Sequence, residues 1–183
     1  MQKSLSIYNF QPNEIIASIG ASSGVWEIWF ASQVEGLTFY LQDIDLLNCN
    51  EEEIEYGVKY YEKLLQKSIS GKFIPIIGTQ TATNLPKNTF DKVLIINSLH
   101  EFETPELILQ DIHKILKTNG QLFIEEQIAN FSGEIHEGCG KRLFTENELS
   151  DVLNKCGFEV NEAHFKDDKV VVFEIKLLEI PLS

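Results

Sequence analysis

Two groups of residues in this 183-residue chain have types and spacings that could do chemistry. The first is Gly20-Ala21-Ser22-Ser23-Gly24, which follows an apolar run and leads into a helical pattern. A tight turn between a buried strand and a helix offers unpaired backbone N–H groups and the positive end of the helix dipole. That combination suits the anionic or polar end of a ligand. The same residues match the Gly-x-Ser-x-Gly elbow of a serine hydrolase, with Ser22 as nucleophile. A triad would then need a later acid and histidine, for which Asp91 and His136 are available. Such an elbow normally follows several strands, whereas this one follows the first.

The second group collects at the ends of the fourth and fifth strands: Asn97, His100, Glu101, Glu125 and Glu126. An imidazole and a carboxylate there can act as a general base or hold a polar substrate, and His100 and Glu125 are the candidate catalytic residues. Glu125 and Glu126 are strand neighbours and point to opposite faces, so one of them faces the site. His136 and Cys139 form an H-x-x-C spacing in a glycine-containing loop. Without a second ligand pair that spacing does not define a metal site, and no metal is expected. The loop reads instead as a substrate wall. Trp26, Trp29 and Phe102 are spaced for a core or a pocket lining.

These residues need a scaffold. Strand one is expected over Glu14–Ile19, with a helix after the turn to about Gln33, since Val25, Ile28, Trp29 and Ser32 fall at helical spacing. Leu37–Leu41 is a second strand, closing on Gln42-Asp43-Ile44-Asp45. Asn50 caps a helix with Glu53 three residues on, an acidic first turn and a buried stripe of Ile54, Val58, Tyr61 and Leu65, stopped by Gly71. Phe73–Ile77 is strand three and Lys92–Asn97 strand four, an apolar run of the kind covered on both faces. Thr104-Pro105 starts the next helix, and Asn119-Gly120 is its left-handed stop before strand five at Gln121–Ile124. Thr145 and Glu148 form a capping box for a helix ending at Gly157. Phe158–Phe165 and Lys169–Leu177 close the chain as a hairpin. The alternation predicts an α/β fold: a doubly wound, mainly parallel seven-stranded sheet with helices on both faces and a C-terminal antiparallel hairpin. Ligands on such sheets bind beyond the carboxyl ends of the strands where strand order reverses, which places Gly20–Gly24 at the site.

Length fits a single domain over residues 1–183, with residues 1–13 as a polar arm. The hydrophobic fraction of 43% and charged fraction of 23% are those of a soluble globular protein. No apolar run spans a bilayer and the first residues carry no signal-peptide pattern, so neither membrane nor secretion is expected. Three widely spaced cysteines without a CxxC pair fit a reducing, cytoplasmic setting. The net charge of −13, from 28 acidic and 15 basic residues, argues against nucleic acid as a partner. A nicotinamide dehydrogenase would want GxGxxG after strand one, which is absent.

The segment FDKVLIINSLHEFETPELILQDIHKILKTNGQLFI, residues 90–124, resembles the fourth strand, following helix and "LKPGG" turn of the class I S-adenosylmethionine-dependent methyltransferases. FTENELSDVLNKCGFEV is similar to a later helix and strand of the same family. The likeness runs from about Glu14 to Leu177, and its cofactor motif is degenerate. Where the family ends strand one in an acidic residue, this chain has Ser18; where its turn reads GxGxG, Ser22 replaces the middle glycine. The resemblance implies S-adenosyl-L-methionine as cofactor, held by Ser18, Gly20, Ala21, Ser22, Gly24, Asp43, Ile44, Thr79, Gln80 and Asn97. Asp43, or Asp45 if the register slips, would accept the ribose hydroxyls, and Thr79 with Gln80 would meet the adenine. The implied activity is methyl transfer to a small-molecule acceptor; the alternative is a methyltransferase-fold binding module without catalysis. With little chain ahead of strand one to form a lid, a partner chain, as in a homodimer, or a mobile arm is expected to complete the pocket.

Overall fold

The structure, a computed structural model, describes residues 1–178. Its elements are α1 (Gln2–Tyr8), β1 (Ile15–Ile19), α2 (Val25–Ala31), β2 (Thr38–Asp43), α3 (Glu51–Leu65), β3 (Lys72–Ile77), β4 (Phe90–Ile96), α4 (Pro105–Ile115), β5 (Leu116–Gln127), α5 (Glu146–Lys155), β6 (Phe158–Phe165) and β7 (Val170–Leu177). A short 3-10 turn, Leu99–Glu101, lies between β4 and α4. The strands form one sheet in the order β3-β2-β1-β4-β5-β7-β6. β1 to β5 are parallel, and β7 runs antiparallel to both β5 and β6. The expected sheet and its terminal hairpin are both present. Among the described residues no helix is long and apolar enough to cross a membrane.

Strand parity explains the two cores. On β4, Val93 and Ile95 join a cluster with Ile108, Ile112, Leu149 and Leu153 of α4 and α5. Leu94 points the other way, among Tyr8, Ile28, Phe30 and Ile54 of α1, α2 and α3. Period-two alternation with both faces covered makes the central strands apolar throughout. The sheet reverses direction between β1, which leads to β2, and β4, which leads to β5. The crevice lies there.

Two helix starts follow the expected chemistry. Asn50 Oδ1 accepts from the Glu53 N–H at 3.0 Å, and Thr145 with Glu148 forms a reciprocal capping box. Within residues 1–13, read from the sequence as a polar arm, α1 forms, and Tyr8 and Phe10 enter the core. Two expectations fail locally. α3 ends with Gln66 in the left-handed conformation (φ 51°), so Gly71 is not its stop. Gly71 serves packing instead, since a Cβ there would lie 2.7 Å from the Ala31 Cβ. After α4 there is no left-handed stop at Asn119-Gly120; the chain turns directly into β5 at Leu116, with a shift of register against β4 between Phe90 and Lys92. β5 therefore includes Glu125 and Glu126, and the strand fixes which way each points.

Candidate functional site

The turn after β1 is built by its neighbour β2. Gly20 and Ala21 both donate their N–H to the Gln42 carbonyl, at 2.8 and 3.1 Å. Ser22 donates its N–H to Asp43 Oδ2 at 2.8 Å, and Asp43 Oδ1 accepts from the Asp45 N–H at 2.9 Å. Gly20, Ser22 and Gly24 all have positive φ, at 71°, 49° and 70°. For serine that conformation costs on the order of 1–2 kcal/mol, and the charge-assisted bond to Asp43 offsets it. The N-cap of α2 is Gly24, and no side chain caps it, so Ser22 is not a capping residue.

Beyond the turn lies a cavity of about 590 Å³, a size common for small-molecule sites. Gly20, Ser22, Asp43, Ile44, Asp45, Thr79, Gln80, Asn97, Glu101, Phe102 and Lys141 are among its lining. Seven expected cofactor residues thus line one cavity. Ser18, Ala21 and Gly24 do not. Gly24 is instead pressed against β2, where a Cβ would meet Leu41 Cδ1 at 2.5 Å. Thr79 spends its hydroxyl on its own loop, accepting from the Ala82 N–H at 3.0 Å. Asp45 likewise caps the following turn, accepting from the Leu47 N–H at 2.8 Å and Asn48 Nδ2 at 2.6 Å. These bonds hold its carboxyl below its ordinary range.

Ser18 turns toward α2, where its hydroxyl donates to Glu27 Oε1 at 2.5 Å. A carboxyl group thus stands beside Ser18, but it comes from the helix and is not part of the cavity lining. The signal in the sequence was a lone acidic residue inside the apolar run VWEIWFA, which the helical-spacing reading passed over. Burial pushes the Glu27 carboxyl up to about 7, against the lowering bond from Ser18. The consequence for stability has a definite sign. Below about pH 4.5 both folded and unfolded states hold the proton; as pH rises toward 7 only the unfolded state releases it, so stability falls. Glu27→Gln is expected to leave stability near pH 4.5 little changed and to raise it by about 2–3 kcal/mol above pH 7. Urea unfolding midpoints at the two pH values check this.

The β4–β5 side is arranged around two neighbouring carboxylates with opposite duties. Glu126 accepts from the Leu99 N–H at 2.6 Å through Oε1 and pairs with His100 Nδ1 at 2.8 Å through Oε2. Burial pulls the His100 pKa down, but the hydrogen bond and charge of Glu126, helped by Cys139, push it up to about 9. His100, expected as a catalytic residue, is thus held as the ion-pair partner of Glu126 and is not among the residues lining the cavity. Its Nε2 is buried without a hydrogen-bond partner among the described residues. Glu125, the other expected catalytic residue, faces away from the cavity. It accepts from Tyr8 OH at 2.8 Å and forms an ion pair with Lys166, both on the α1 side. The hydrolase triad fails too. Asp91 Oδ2 binds the Ile15 N–H at the start of β1, whereas Ser22 follows its end, so the two lie at opposite ends of the sheet.

Comparison with known proteins agrees with this geometry. The family described as "Methyltransferase domain" matches residues 29–124, just over half of the chain, beginning past the Gly20–Gly24 turn. The ubiquinone/menaquinone biosynthesis C-methyltransferase of Hydrogenovibrio crunogenus is 26% identical over 122 residues, covering 67% of this chain and 45% of that protein. The chain thus spans less than half the length of this curated relative. A SAM-dependent methyltransferase from Aquifex aeolicus superposes with a TM-score of 0.74 at 18% identity, over 97% of this chain and 89% of its own. The 1,6-didemethyltoxoflavin-N1-methyltransferase of Burkholderia thailandensis, solved with 1,6-didemethyltoxoflavin and S-adenosylhomocysteine, gives 0.70 at 17% identity, over 97% and 76%. Topology, crevice and family match converge: this chain belongs to the class I S-adenosylmethionine-dependent methyltransferases.

Proposed function

We propose that this single-domain chain transfers a methyl group from S-adenosylmethionine to a small-molecule acceptor. The observation that carries the reading is the wall of the cavity of about 590 Å³, where, among the described residues, Asp43, Asp45, Glu101 and Glu103 stand against a single cation, Lys141. A carboxylate-rich, partly apolar cleft suits a ligand bearing a sulfonium and an ammonium group. The residues fit the cofactor. Asp43 is fixed by two backbone N–H groups and keeps acceptor capacity for ribose hydroxyls. Gly20 leaves the turn bare of side chain, and Gln80, whose amide makes no hydrogen bond among the described residues, is free to meet a base edge.

Bound S-adenosylmethionine supplies an electrophilic methyl group; the protein has to orient an acceptor and exclude water. The β4 side of the cavity, with Asn97, Glu101, Phe102, Ile108 and Lys141, takes that part. Phe102 and Ile108 give an apolar surface, and the Glu101 carboxylate is the group placed to hold an acceptor proton. The quinone and toxoflavin methyltransferases named above support a small acceptor. A cytoplasmic setting fits three widely spaced cysteines without a CxxC pair.

Titration calorimetry with S-adenosylhomocysteine tests the reading. One site per chain is expected, and Asp43→Ala should weaken binding by about 10- to 100-fold, the worth of hydrogen bonds to a charged group. No binding at millimolar ligand would overturn the methyltransferase reading in favour of a non-catalytic module, and equal affinity in Asp43→Ala would move the ribose contact elsewhere.

A further inference from the structure

The loop between β5 and α5 brings a second chemistry next to the cavity. Ile135 and Arg142 pair as an isolated antiparallel bridge, and between them the chain makes a tight hairpin. His136 N–H donates to the Lys141 carbonyl at 2.8 Å, and Gly140 N–H donates to the His136 carbonyl at 2.9 Å. Gly140 has φ 70°, which reverses the chain immediately after Cys139. Gly138 lies under the His136 ring, where a Cβ would come within 3.2 Å of it. The result is that His136 and Cys139 present their side chains together, with Nδ1 and Sγ 3.2 Å apart.

What they face is His100. The two imidazole rings have centroids 5.0 Å apart, and one ligand atom from each of His100, His136 and Cys139 falls within 4.8 Å of the others. The His100 side chain is 1% exposed, and its Nε2 has no hydrogen-bond partner among the described residues. A buried ring nitrogen left without a partner costs free energy unless something binds it. Its other nitrogen, Nδ1, is held by the Glu126 carboxylate, which is the arrangement that orients a metal-ligating histidine and raises its basicity. Glu101 Oε1 stands 3.8 Å from His100 Nε2.

We propose that His100, His136 and Cys139 form a binding site for a zinc-class divalent cation, with Glu126 as the positioning carboxylate and a solvent oxygen in the fourth position. Two imidazoles and a thiolate are the donor set that zinc prefers. Tetrahedral ligand atoms around zinc are roughly 3.5 Å apart, so side-chain rotation suffices to close the site. Coordination releases the Cys139 thiol proton and the His100 Nε2 proton to solvent. Two metal ligands come from the hairpin and one from the turn after β4, so the ion clasps the 136–141 loop against the cavity rim, where Lys141 and Glu101 already stand. The proposal does not depend on methyl transfer; a chain that fails to bind S-adenosylhomocysteine would still bind the metal.

The test uses purified full-length protein stripped with a chelator and titrated with zinc alone, then with cobalt(II). One equivalent of metal is expected, with a thiolate-to-cobalt charge-transfer band and a rise in Tm. His136 and Cys139 lie in an exposed loop, so His136→Ala and Cys139→Ser keep the core intact; each should abolish the band and the Tm rise. Glu126→Gln should weaken affinity by about 10- to 100-fold. Glu162, His164 and Glu174 form another group of possible ligands on the hairpin sheet. Stoichiometric metal that survives Cys139→Ser, or that binds without the charge-transfer band, would assign the ion there and overturn the proposal, as would the absence of binding.

Discussion

Replacing Gly20 with alanine is expected to cost about 2–4 kcal/mol of folding stability and to reduce S-adenosylhomocysteine binding below detection. Two independent penalties add. A residue with a Cβ at φ 71° carries a cost on the order of 1–2 kcal/mol. The new methyl would also lie 2.6 Å from Ser98 Oγ and 2.7 Å from Ser98 Cβ, so one of them must move. Ser98 is buried and its hydroxyl donates to the Ile19 carbonyl at 3.1 Å. Pushing it aside breaks a bond worth about 1 kcal/mol at the point where β1 enters the turn. Guanidinium unfolding and calorimetry read the two effects separately. The double variant Gly20→Ala with Ser98→Gly relieves the clash but deletes the Ser98 hydroxyl as well, so against the single variant Ser98→Gly the added cost of Gly20→Ala should shrink to the backbone strain. An added cost as large as in the wild-type background would show that the clash with Ser98 contributes nothing.

Glu126→Ala should be more damaging, by about 3–5 kcal/mol, the range for stripping one partner from a buried ion pair. The substitution leaves the Leu99 N–H and His100 Nδ1 without their acceptor in a buried setting. In chelator-treated wild type the same pair gives stability a pH signature. The His100 pKa is about 9 when folded, against an ordinary 6.5. Its contribution is complete below pH 6.5 and is lost as pH rises through about 9. Glu126→Gln keeps the shape and should flatten that decline. A decline of equal size in the variant would show that His100 is not its source.

The fold was readable because its signals are local. Asn50 and Thr145 mark helix starts through bonds to residues three positions on, and the apolar run of β4 needs only its own composition. α1 carried no such mark: seven residues with no side-chain cap, helical because Tyr8 and Phe10 are buried by strands far along the chain. α3 ends on a left-handed Gln66 whose N–H donates to the Glu62 carbonyl, and α4 passes directly into β5 at Leu116, so neither helix uses the glycine that follows it as its stop. In the site, Asp43 was legible as the acid closing β2. The Ser18–Glu27 pair was not, because it joins a strand to a helix across the turn. The choice between Glu125 and Glu126 depended on strand parity, which composition leaves free until the register of β5 against β4 and β7 is known.

The bond between Tyr8 and Glu125 joins residues 117 positions apart. Tyr8 also packs edge-on against Phe123, 5.2 Å between ring centroids. During synthesis the first helix therefore leaves the ribosome long before the strand that receives it exists. Tyr8 and Phe10 can meet Phe30 and Phe39 as soon as α2 and β2 exist, so these rings have early neighbours. The contacts of Tyr8 with Phe123 and Glu125 close only once β5 has emerged, which makes the α1–β5 seam one of the long-range closures of the fold.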